Sequence, residues 1–293
     1  MFSQLAKNWI NQVFIICFIG LVVWWIEINA QHLTTSSQNF YFGFVYALVA
    51  LAGGANGLRV SQRWGSFKSV LGRGMSFFSL GLLSLGIGQI IFSYYNIVAK
   101  VDIPFPSVAD FFYFAIIVFY ILGAISLFRS AGSRFSLTTL KAKITAFLVP
   151  LVVLIFSWLL LLRDSTIDFS SVKNILITFL SFSSPLGGAI YISIAILTFQ
   201  LSYKSLGGML RKPILFLIGA LILEFTAEYL FAYQVAQNVY YNAGIDDLVF
   251  AAAVVAMSLA LNSFVLKKKQ APATSGTAPL ATNTIKEGTK SNG

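Results

Sequence analysis

Charged residues are scarce in this sequence. Asp, Glu, Lys and Arg make up 10% of the 293 residues, hydrophobic side chains make up 57%, and the mean hydropathy is +0.81. A soluble domain carries about 25% charged residues, so water cannot be the main solvent of this chain. Because the apolar residues come in long runs, the composition predicts an integral membrane protein.

Cysteine and histidine are almost absent, and this excludes several kinds of site. Cys17, the single cysteine, falls in the first apolar run, so neither an intrachain disulfide nor a cysteine-based metal site can form. His32, the single histidine, rules out bis-histidine haem and histidine-rich metal centres. No apolar run contains a lysine for a retinal Schiff base. No phosphate-binding glycine motif occurs, and the pairs Gly53-Gly54, Gly187-Gly188 and Gly207-Gly208 are interpreted as close helix contacts or loop turns. We therefore expect no cofactor, no bound metal and no enzymatic activity.

Eight apolar runs are each long enough to cross a bilayer, whose hydrocarbon core needs about 20 helical residues. The first run ends in Trp24-Trp25-Ile26-Glu27 without a small-residue cleavage site, so we expect a retained helix. In the sixth run the polar stretch 181–184 and Pro185 predict an interruption. The predicted fold is all-α and polytopic, with spans at 9–29, 40–58, 74–97, 108–128, 144–163, 174–201, 213–236 and 246–266.

Basic residues indicate how these spans are oriented. The net charge is +10, but nearly all Lys and Arg lie at the chain ends or in the loops after spans 2, 4 and 6. Only Lys100, Arg163 and Lys173 fall in the opposite loops. Positive loops stay in the cytoplasm, so the N- and C-termini are predicted to be cytoplasmic. The charge is thus an orientation signal, and no nucleic-acid partner is expected.

Two regions follow from this pattern. Residues 1–269 are predicted to form the eight-helix transmembrane domain, and residues 270–293, rich in Ala, Thr, Ser, Gly, Asn and Pro, a disordered cytoplasmic tail. The lysines at 267–269 are placed to anchor the last helix at the lipid surface. We expect a multi-pass protein of a prokaryotic cell membrane.

Two acids lie at membrane depth. Glu224 stands roughly 15 Å into span 7 at about 1.5 Å per residue, and Glu228 lies one helical turn further out on the same face. No Lys or Arg lies within a span to pair with them. An ionisable group at this depth is costly, so it indicates a site for a ligand, cation or proton. The alternative is that both acids are neutral and join helices by hydrogen bonds.

Acids and tyrosines are expected to gather at the outer ends of helices 3, 4, 7 and 8. Tyr95 precedes Asp110 by 15 residues and Tyr233 precedes Asp247 by 14, which favours two four-helix parallel repeats around one pocket. Alternatively, the tyrosines are interfacial anchors and Asp110 only favours the start of its helix. The candidate ligand-binding residues are Gln89, Tyr95, Asp110, Glu224, Glu228, Tyr233, Asp246 and Asp247.

One family has a similar order of motifs. The motifs are Pro-Phe-Pro-Ser-Val-Ala-Asp-Phe-Phe-Tyr at 104–113, Ser-Pro-Leu-Gly at 184–187, Ala-Glu-Tyr-Leu-Phe-Ala-Tyr at 227–233 and Gly-Ile-Asp-Asp-Leu at 244–248. Up to Lys269 the chain resembles the polytopic N-terminal sensor region that precedes GGDEF and EAL domains in bacterial cyclic-di-GMP signalling proteins. It departs from the family pattern at Gly188 and Glu228, where that family often has Asp. The resemblance implies sensing without cyclic-di-GMP synthesis, because no catalytic domain follows span 8.

These observations favour a non-enzymatic membrane sensor or scaffold. Its outward-facing pocket would be lined by Asp110, Glu228 and Asp247 with Tyr95 and Tyr233, and its basic inner loops would contact a signalling partner. The alternative is a secondary transporter or channel for a small solute or cation that uses Glu224 and Glu228. An intramembrane enzyme comes third, because no nucleophile or metal constellation is recognisable.

Overall fold

The chain folds into long helices joined by short segments. The computed structural model describes residues 8–101, 103–130, 140–157, 168–202 and 211–270, and these ranges contain no β-strand. A 3₁₀ turn, Ser66–Lys68, lies between the second and third helices, and a π-helical turn, Tyr95–Ala99, extends the third. The helices are α1 (Trp9–Ala30), α2 (Ser37–Arg63), α3 (Val70–Tyr94), α4 (Val108–Ser130), α5 (Leu140–Ser157), α6 (Val172–Ser202), α7 (Arg211–Ala236) and α8 (Ile245–Gln270).

Short polar side chains fix where the first helices begin. Asn8 caps α1 by accepting a hydrogen bond from the Ile10 N–H at 3.0 Å. The Ser69 hydroxyl caps α3 in the same way by accepting from the Gly72 N–H at 3.0 Å. Between α2 and α3 the chain turns through Gly65 at φ +89°, a conformation that costs glycine little. These caps satisfy backbone donors that have no partner inside the helix.

Seven of the helices are long and apolar enough to cross a membrane: α1, α2, α3 with its π-helical turn, α4, α6, α7 and α8. This supports the prediction of a multi-pass integral membrane protein. The remaining helix, α5, has 18 residues, Leu140–Ser157, and its second part covers the beginning of the predicted span 144–163. Residues 158–163 of that span lie outside the described ranges, as do the predicted tail residues 271–293.

The predicted interruption of the sixth span is not observed. α6 runs through 31 residues from Val172 to Ser202 with Pro185 inside it. A proline removes one backbone donor, and the helix tolerates that loss where other groups hold the backbone. The Ser183 hydroxyl donates to the Leu180 carbonyl at 2.8 Å, so polar side chains of the stretch bond back to the helix instead of ending it.

Six of the helices form a closed ring. Going round it, α2 packs on α3, α3 on α4, α4 on α6, α6 on α7, α7 on α8, and α8 returns to α2. The other two helices lie outside, with α1 against α8 and α2, and α5 against α6. Both present large apolar side chains outward, as lipid contact requires; examples are Ile16 and Val23 of α1 and Phe147 and Val152 of α5.

Opposite charges mark the two ends of the ring. We call the acidic end the one that carries segments 31–36, 100–107 and 237–244, and the basic end the one that carries segment 64–69 with Lys68.

Side-chain hydrogen bonds join elements at both ends. At the basic end the Asn262 amide donates to Asn11 Oδ1 at 2.6 Å. At the acidic end the Asn39 amide donates to the Asn242 carbonyl at 2.7 Å. Each end is thus joined by side-chain hydrogen bonds between elements distant in sequence.

Glycines allow the ring helices to approach one another, as the Gly53-Gly54 and Gly187-Gly188 pairs predict. A Cβ on Gly53 would overlap the Ser258 side chain of α8. On Gly187 it would overlap Ile117 of α4. The interpretation of these glycines as close helix contacts is therefore confirmed, and the third pair, Gly207-Gly208, lies outside the described residues.

Candidate functional site

Buried and half-buried polar side chains gather in two places inside the ring, and Tyr113, Glu228 and Tyr240 are the half-buried members. The end cluster lies at the acidic end and consists of Tyr46, Gln89, Tyr113, Gln234, Tyr240, Asp246 and Asp247. The mid-ring cluster lies near the middle of the helices and consists of Tyr120, Tyr191, Glu224 and Glu228. Each cluster combines two carboxyl groups with tyrosine hydroxyls.

Asp247, in the first turn of α8, accepts two hydrogen bonds that hold neighbouring parts of the structure in place. Its Oδ2 accepts from the Ala243 N–H at 2.7 Å, and its Oδ1 accepts from the Tyr46 hydroxyl at 3.2 Å. Ala243 needs this support because it is fully buried and adopts a left-handed φ of +62°. A carboxylate here is also favoured by the positive end of the helix dipole. Asp247 therefore fixes the segment that leads into α8 and joins it to α2.

Asp246 is different, because it is fully buried but poorly satisfied. Neither of its carboxylate oxygens accepts a hydrogen bond of normal geometry from the described residues, although Gln234 lies beside it. A Cβ on Gly244 would lie 2.7 Å from Asp246 Oδ1, 3.0 Å from the Tyr241 carbonyl and 3.5 Å from Gln234 Oε1. The Gln234 amide nitrogen donates to the Leu230 carbonyl at 3.4 Å, and the Gln234 side chain also interacts with the Asp246 carboxyl group. Three acceptor oxygens thus converge beside Gly244.

Tyrosines enclose the carboxyl pair of the end cluster. Burial, followed by the negative charges of Asp247 and Asp246, raises the pKa of the Tyr240 hydroxyl well above its usual range, so it stays a donor. Tyr113 of α4 donates to Gln89 Oε1 of α3 at 2.8 Å. A Cβ on Gly43 would lie 2.5 Å from the Gln89 amide nitrogen, so a glycine on α2 makes room for this side chain.

The mid-ring cluster joins α4, α6 and α7. Tyr191 of α6 donates to Glu228 Oε2 at 3.3 Å, and its ring meets Tyr120 of α4 edge-on with 5.8 Å between centroids. Of the two carboxyl groups, Glu224 has the larger electrostatic effect on the Tyr120 hydroxyl, and Glu228 has the larger effect on the Tyr191 hydroxyl. The Tyr120 hydroxyl and Glu224 Oε1 are both buried and make no hydrogen bond within the described part of the chain. Two groups in one cluster are thus left unsatisfied.

A small cavity reaches Glu228. It has a volume of about 10 Å³ and is lined by Pro185, Phe225, Glu228, Tyr229 and Ala232. A space of this size holds about one water molecule. A Cβ on Gly188 would lie 2.9 Å from Glu228 Oε2. The room beside Glu228 therefore depends on a glycine and suits a particle no larger than water.

The structure distributes the predicted site residues over several places. Gln89, Asp246 and Asp247 lie together in the end cluster, while Glu224 and Glu228 lie in the mid-ring cluster. The other three, Asp110, Tyr95 and Tyr233, belong to neither cluster. Asp110 Oδ2 accepts hydrogen bonds from the Ser107 N–H at 2.6 Å and from the Ser107 hydroxyl at 2.8 Å. Tyr95 is half-buried and meets Tyr94 edge-on with 6.2 Å between ring centroids, and the Tyr233 side chain is 46% exposed.

Sequence reasoning missed the tyrosines of the two clusters, of which Tyr46 contacts Asp247 and Tyr191 contacts Glu228. Tyr46, Tyr113, Tyr120 and Tyr191 all lie within helices long and apolar enough to cross a membrane, whereas tyrosine is usually found near the ends of such helices. A hydroxyl well inside an apolar run is itself a signal, because it needs a partner there. Tyr113 and Tyr120 are seven residues apart, which places them on one face of α4.

Comparisons with known proteins give no family for this chain. No family model matches the chain, and no curated protein and no solved structure is similar to it. Nothing in these comparisons links the chain to the sensor region of GGDEF and EAL proteins, so that resemblance stays a prediction. Function has to be argued from the two buried clusters.

Proposed function

We propose that the protein is a non-enzymatic membrane sensor that binds a small positively charged ligand in the end cluster. The observation that carries this proposal is the Asp246 carboxyl group, which is fully buried and accepts no hydrogen bond of normal geometry from the described residues, beside the carbonyl of Tyr241 and the amide oxygen of Gln234. A buried carboxylate without a donor is costly. An ammonium or similar cation would supply both the missing donors and the missing positive charge.

The surroundings of this site suit signal transmission. The segment 240–244 receives hydrogen bonds from α1, since Trp25 Nε1 donates to the Gly244 carbonyl at 3.0 Å and the Asn29 amide to the Ala243 carbonyl at 3.2 Å. α2 joins the same segment through Asn39, at 2.7 Å from the Asn242 carbonyl. A ligand that favours one arrangement of this segment would shift the packing of α1, α2 and α8 together.

The proposal places the acidic end outside the cell and the basic end in the cytoplasm, where it would face a signalling partner. Lys and Arg gather at the basic end, and positive segments resist translocation. In a Cys17→Ser background, a cysteine at His32 is expected to react with an impermeant maleimide on intact cells. One at Lys68 is expected to react only after permeabilisation. The reverse labelling would contradict this orientation.

Replacing Asp246 by asparagine is expected to abolish ligand-dependent stabilisation. The purified protein would be titrated with methylammonium, ethylammonium and putrescine at constant ionic strength while its thermal unfolding midpoint is measured. At least one of these cations should raise the midpoint of the wild type saturably. The Asp246→Asn variant should need at least about tenfold more of it, equivalent to about 1.4 kcal/mol of binding free energy.

Asp110→Asn is the matched control for this experiment. Asp110 also lies in the first turn of a ring helix at the acidic end, but Ser107 already satisfies its carboxylate. This variant should lose about 1 kcal/mol of stability through its weakened cap and keep the wild-type cation response. Equal responses of Asp246→Asn and wild type, or no response of the wild type to any of the three cations, would refute the proposed site.

A second candidate function, a secondary transporter, is favoured by the stacking of the two clusters. Tyr113 belongs to the end cluster and Tyr120 to the mid-ring cluster, about 10 Å apart along α4 at 1.5 Å per residue. Helices α2, α3 and α4 also succeed one another in the ring as α6, α7 and α8 do, which supports parallel repeats. Transport predicts cation- or proton-coupled flux in proteoliposomes that Glu224→Gln abolishes.

A further inference from the structure

The mid-ring cluster plays no part in the proposed sensor function, yet its polar groups are incomplete. The Tyr120 hydroxyl and Glu224 Oε1 are buried in the same cluster and have no hydrogen-bond partner among the described residues. Glu224 is 1% exposed and Tyr120 is 0% exposed, so bulk water does not satisfy them. We infer that Tyr120, Tyr191, Glu224 and Glu228 form a coordination site for one small monovalent cation such as Na⁺.

The charge of the site favours a cation. Glu224 and Glu228 are one helical turn apart on α7, and within the described ranges no Lys, Arg or His is among the groups that act on either of them. Two carboxylates so close together inside a membrane protein repel each other and lack compensation. One bound monovalent cation and one retained proton make the pair neutral.

The size and the ligand number narrow the choice of cation. Of the four side chains, Glu228 alone lines the small cavity with Pro185, Phe225, Tyr229 and Ala232, and this cavity holds about one water-sized particle, so an organic ammonium ion does not fit against Glu228 there. A Ca²⁺ ion takes six to eight oxygen ligands, usually with several carboxylates. Within the described ranges, no group of three or more His, Cys, Asp or Glu side chains is placed to hold a metal. A small monovalent ion remains.

The cluster offers oxygen atoms of the kind that such an ion binds. Glu228 and Tyr191 are already in contact, at 3.3 Å between Oε2 and the hydroxyl oxygen, and the Tyr191 ring meets the Tyr120 ring edge-on with 5.8 Å between centroids. Pro185 lines the cavity that reaches Glu228 and has no N–H, so the Ser181 carbonyl one turn earlier lacks its usual helical donor.

Titration with sodium tests the inference. The purified protein in detergent, at fixed pH, would be titrated with NaCl against choline chloride at matched ionic strength, with the thermal unfolding midpoint as readout. NaCl should raise the midpoint saturably and choline chloride should not. Glu224→Gln and Glu228→Gln should each raise the apparent dissociation constant for Na⁺ at least about tenfold, whereas Glu27→Gln, which alters an exposed carboxylate on α1, should not change it.

Further variants keep the test decisive. If the glutamine variants do not fold, Tyr191→Phe and Gly188→Ala should weaken the binding of radiolabelled sodium at equilibrium severalfold, the first by removing a ligand and the second by narrowing the space beside Glu228. Asp246→Asn should keep the full Na⁺ response, which separates this site from the proposed sensor site. Equal effects of NaCl and choline chloride, stabilisation that follows pH alone, or wild-type sodium binding by both fallback variants would overturn the inference.

Discussion

Replacing Gly81 by alanine is expected to destabilise the protein by about 3 kcal/mol, at the upper end of the usual cost of overpacking. A Cβ on Gly81 of α3 would overlap the ring of Tyr120 on α4. That ring is fully buried and is held between Phe78, at 5.9 Å between centroids, and Tyr191, at 5.8 Å. The ring has no free space to move into, so α3 and α4 must separate.

Gly219→Ala is the matched control, because nothing lies within 4 Å of a Cβ at that position on α7. There the same substitution should stabilise the helix by up to about 1 kcal/mol, since alanine has the higher helix propensity. Thermal unfolding in detergent should show a lower midpoint for Gly81→Ala and an equal or higher midpoint for Gly219→Ala than for the wild type. Similar midpoints for Gly81→Ala and wild type would show that α3 and α4 do not pack as described. Because Tyr120 belongs to the mid-ring cluster, Gly81→Ala should also weaken the sodium response.

The helices could be predicted from sequence because lipid imposes a simple rule. Every backbone polar group inside a bilayer must be paired, so an apolar run of sufficient length is a helix. The order of helices in the ring could not be predicted in this way. It depends on local fits such as Gly81 against Tyr120 and Gly187 against Ile117, and a glycine in a sequence does not indicate which side chain it will meet.

The buried acids could be predicted for a similar reason, because a carboxyl group in an apolar run is rare and costly. Their partners could not. Tyr46 and Tyr191 contact Asp247 and Glu228, but tyrosine is amphipathic and common in membrane helices, so its type alone gives little information. For Tyr233 the sequence predicts too much. Its place near the end of α7 indicates a pocket residue, but its side chain is 46% exposed.

Asp110 and Asp247 show how similar sequence contexts lead to different surroundings. Both stand in the first turn of a ring helix, and both accept a hydrogen bond from a backbone N–H just before it, at 2.6 Å from Ser107 and 2.7 Å from Ala243. Asp110 accepts its second hydrogen bond from the Ser107 hydroxyl of the same turn. Asp247 instead accepts its second hydrogen bond from Tyr46 of α2, the neighbouring ring helix, so only Asp247 joins two elements that are distant in sequence.

Asp246 and Asp247 are neighbours in sequence, yet they are expected to respond oppositely to substitution. Asp246 accepts no hydrogen bond of normal geometry from the described residues, so Asp246→Asn removes a poorly compensated buried charge and should leave the ligand-free protein as stable as before or more stable. Asp247 satisfies two buried groups, and its loss leaves both without a partner. Loss of stability and loss of ligand binding should therefore come from different members of this pair.

Asp247→Ala is expected to lower the free energy of unfolding by about 3 kcal/mol. It leaves the Ala243 N–H and the Tyr46 hydroxyl unpaired, and each unsatisfied buried group costs about 1–3 kcal/mol, partly offset by the relief of repulsion from Asp246. The left-handed conformation of Ala243 at φ +62° also loses its support. The segment 237–244 should then become accessible, which limited proteolysis of the purified protein would detect together with a lower thermal midpoint.

Asp247→Asn separates the hydrogen bonds of this residue from its charge. The amide oxygen can still accept from the Ala243 N–H, and the amide nitrogen can donate to the Tyr46 oxygen, so this variant should recover most of the lost stability. Glu27→Ala, at an exposed position on α1, should resemble wild type in both assays. Equal losses for Asp247→Asn and Asp247→Ala would mean that charge, and not hydrogen bonding, holds the segment before α8 against α2.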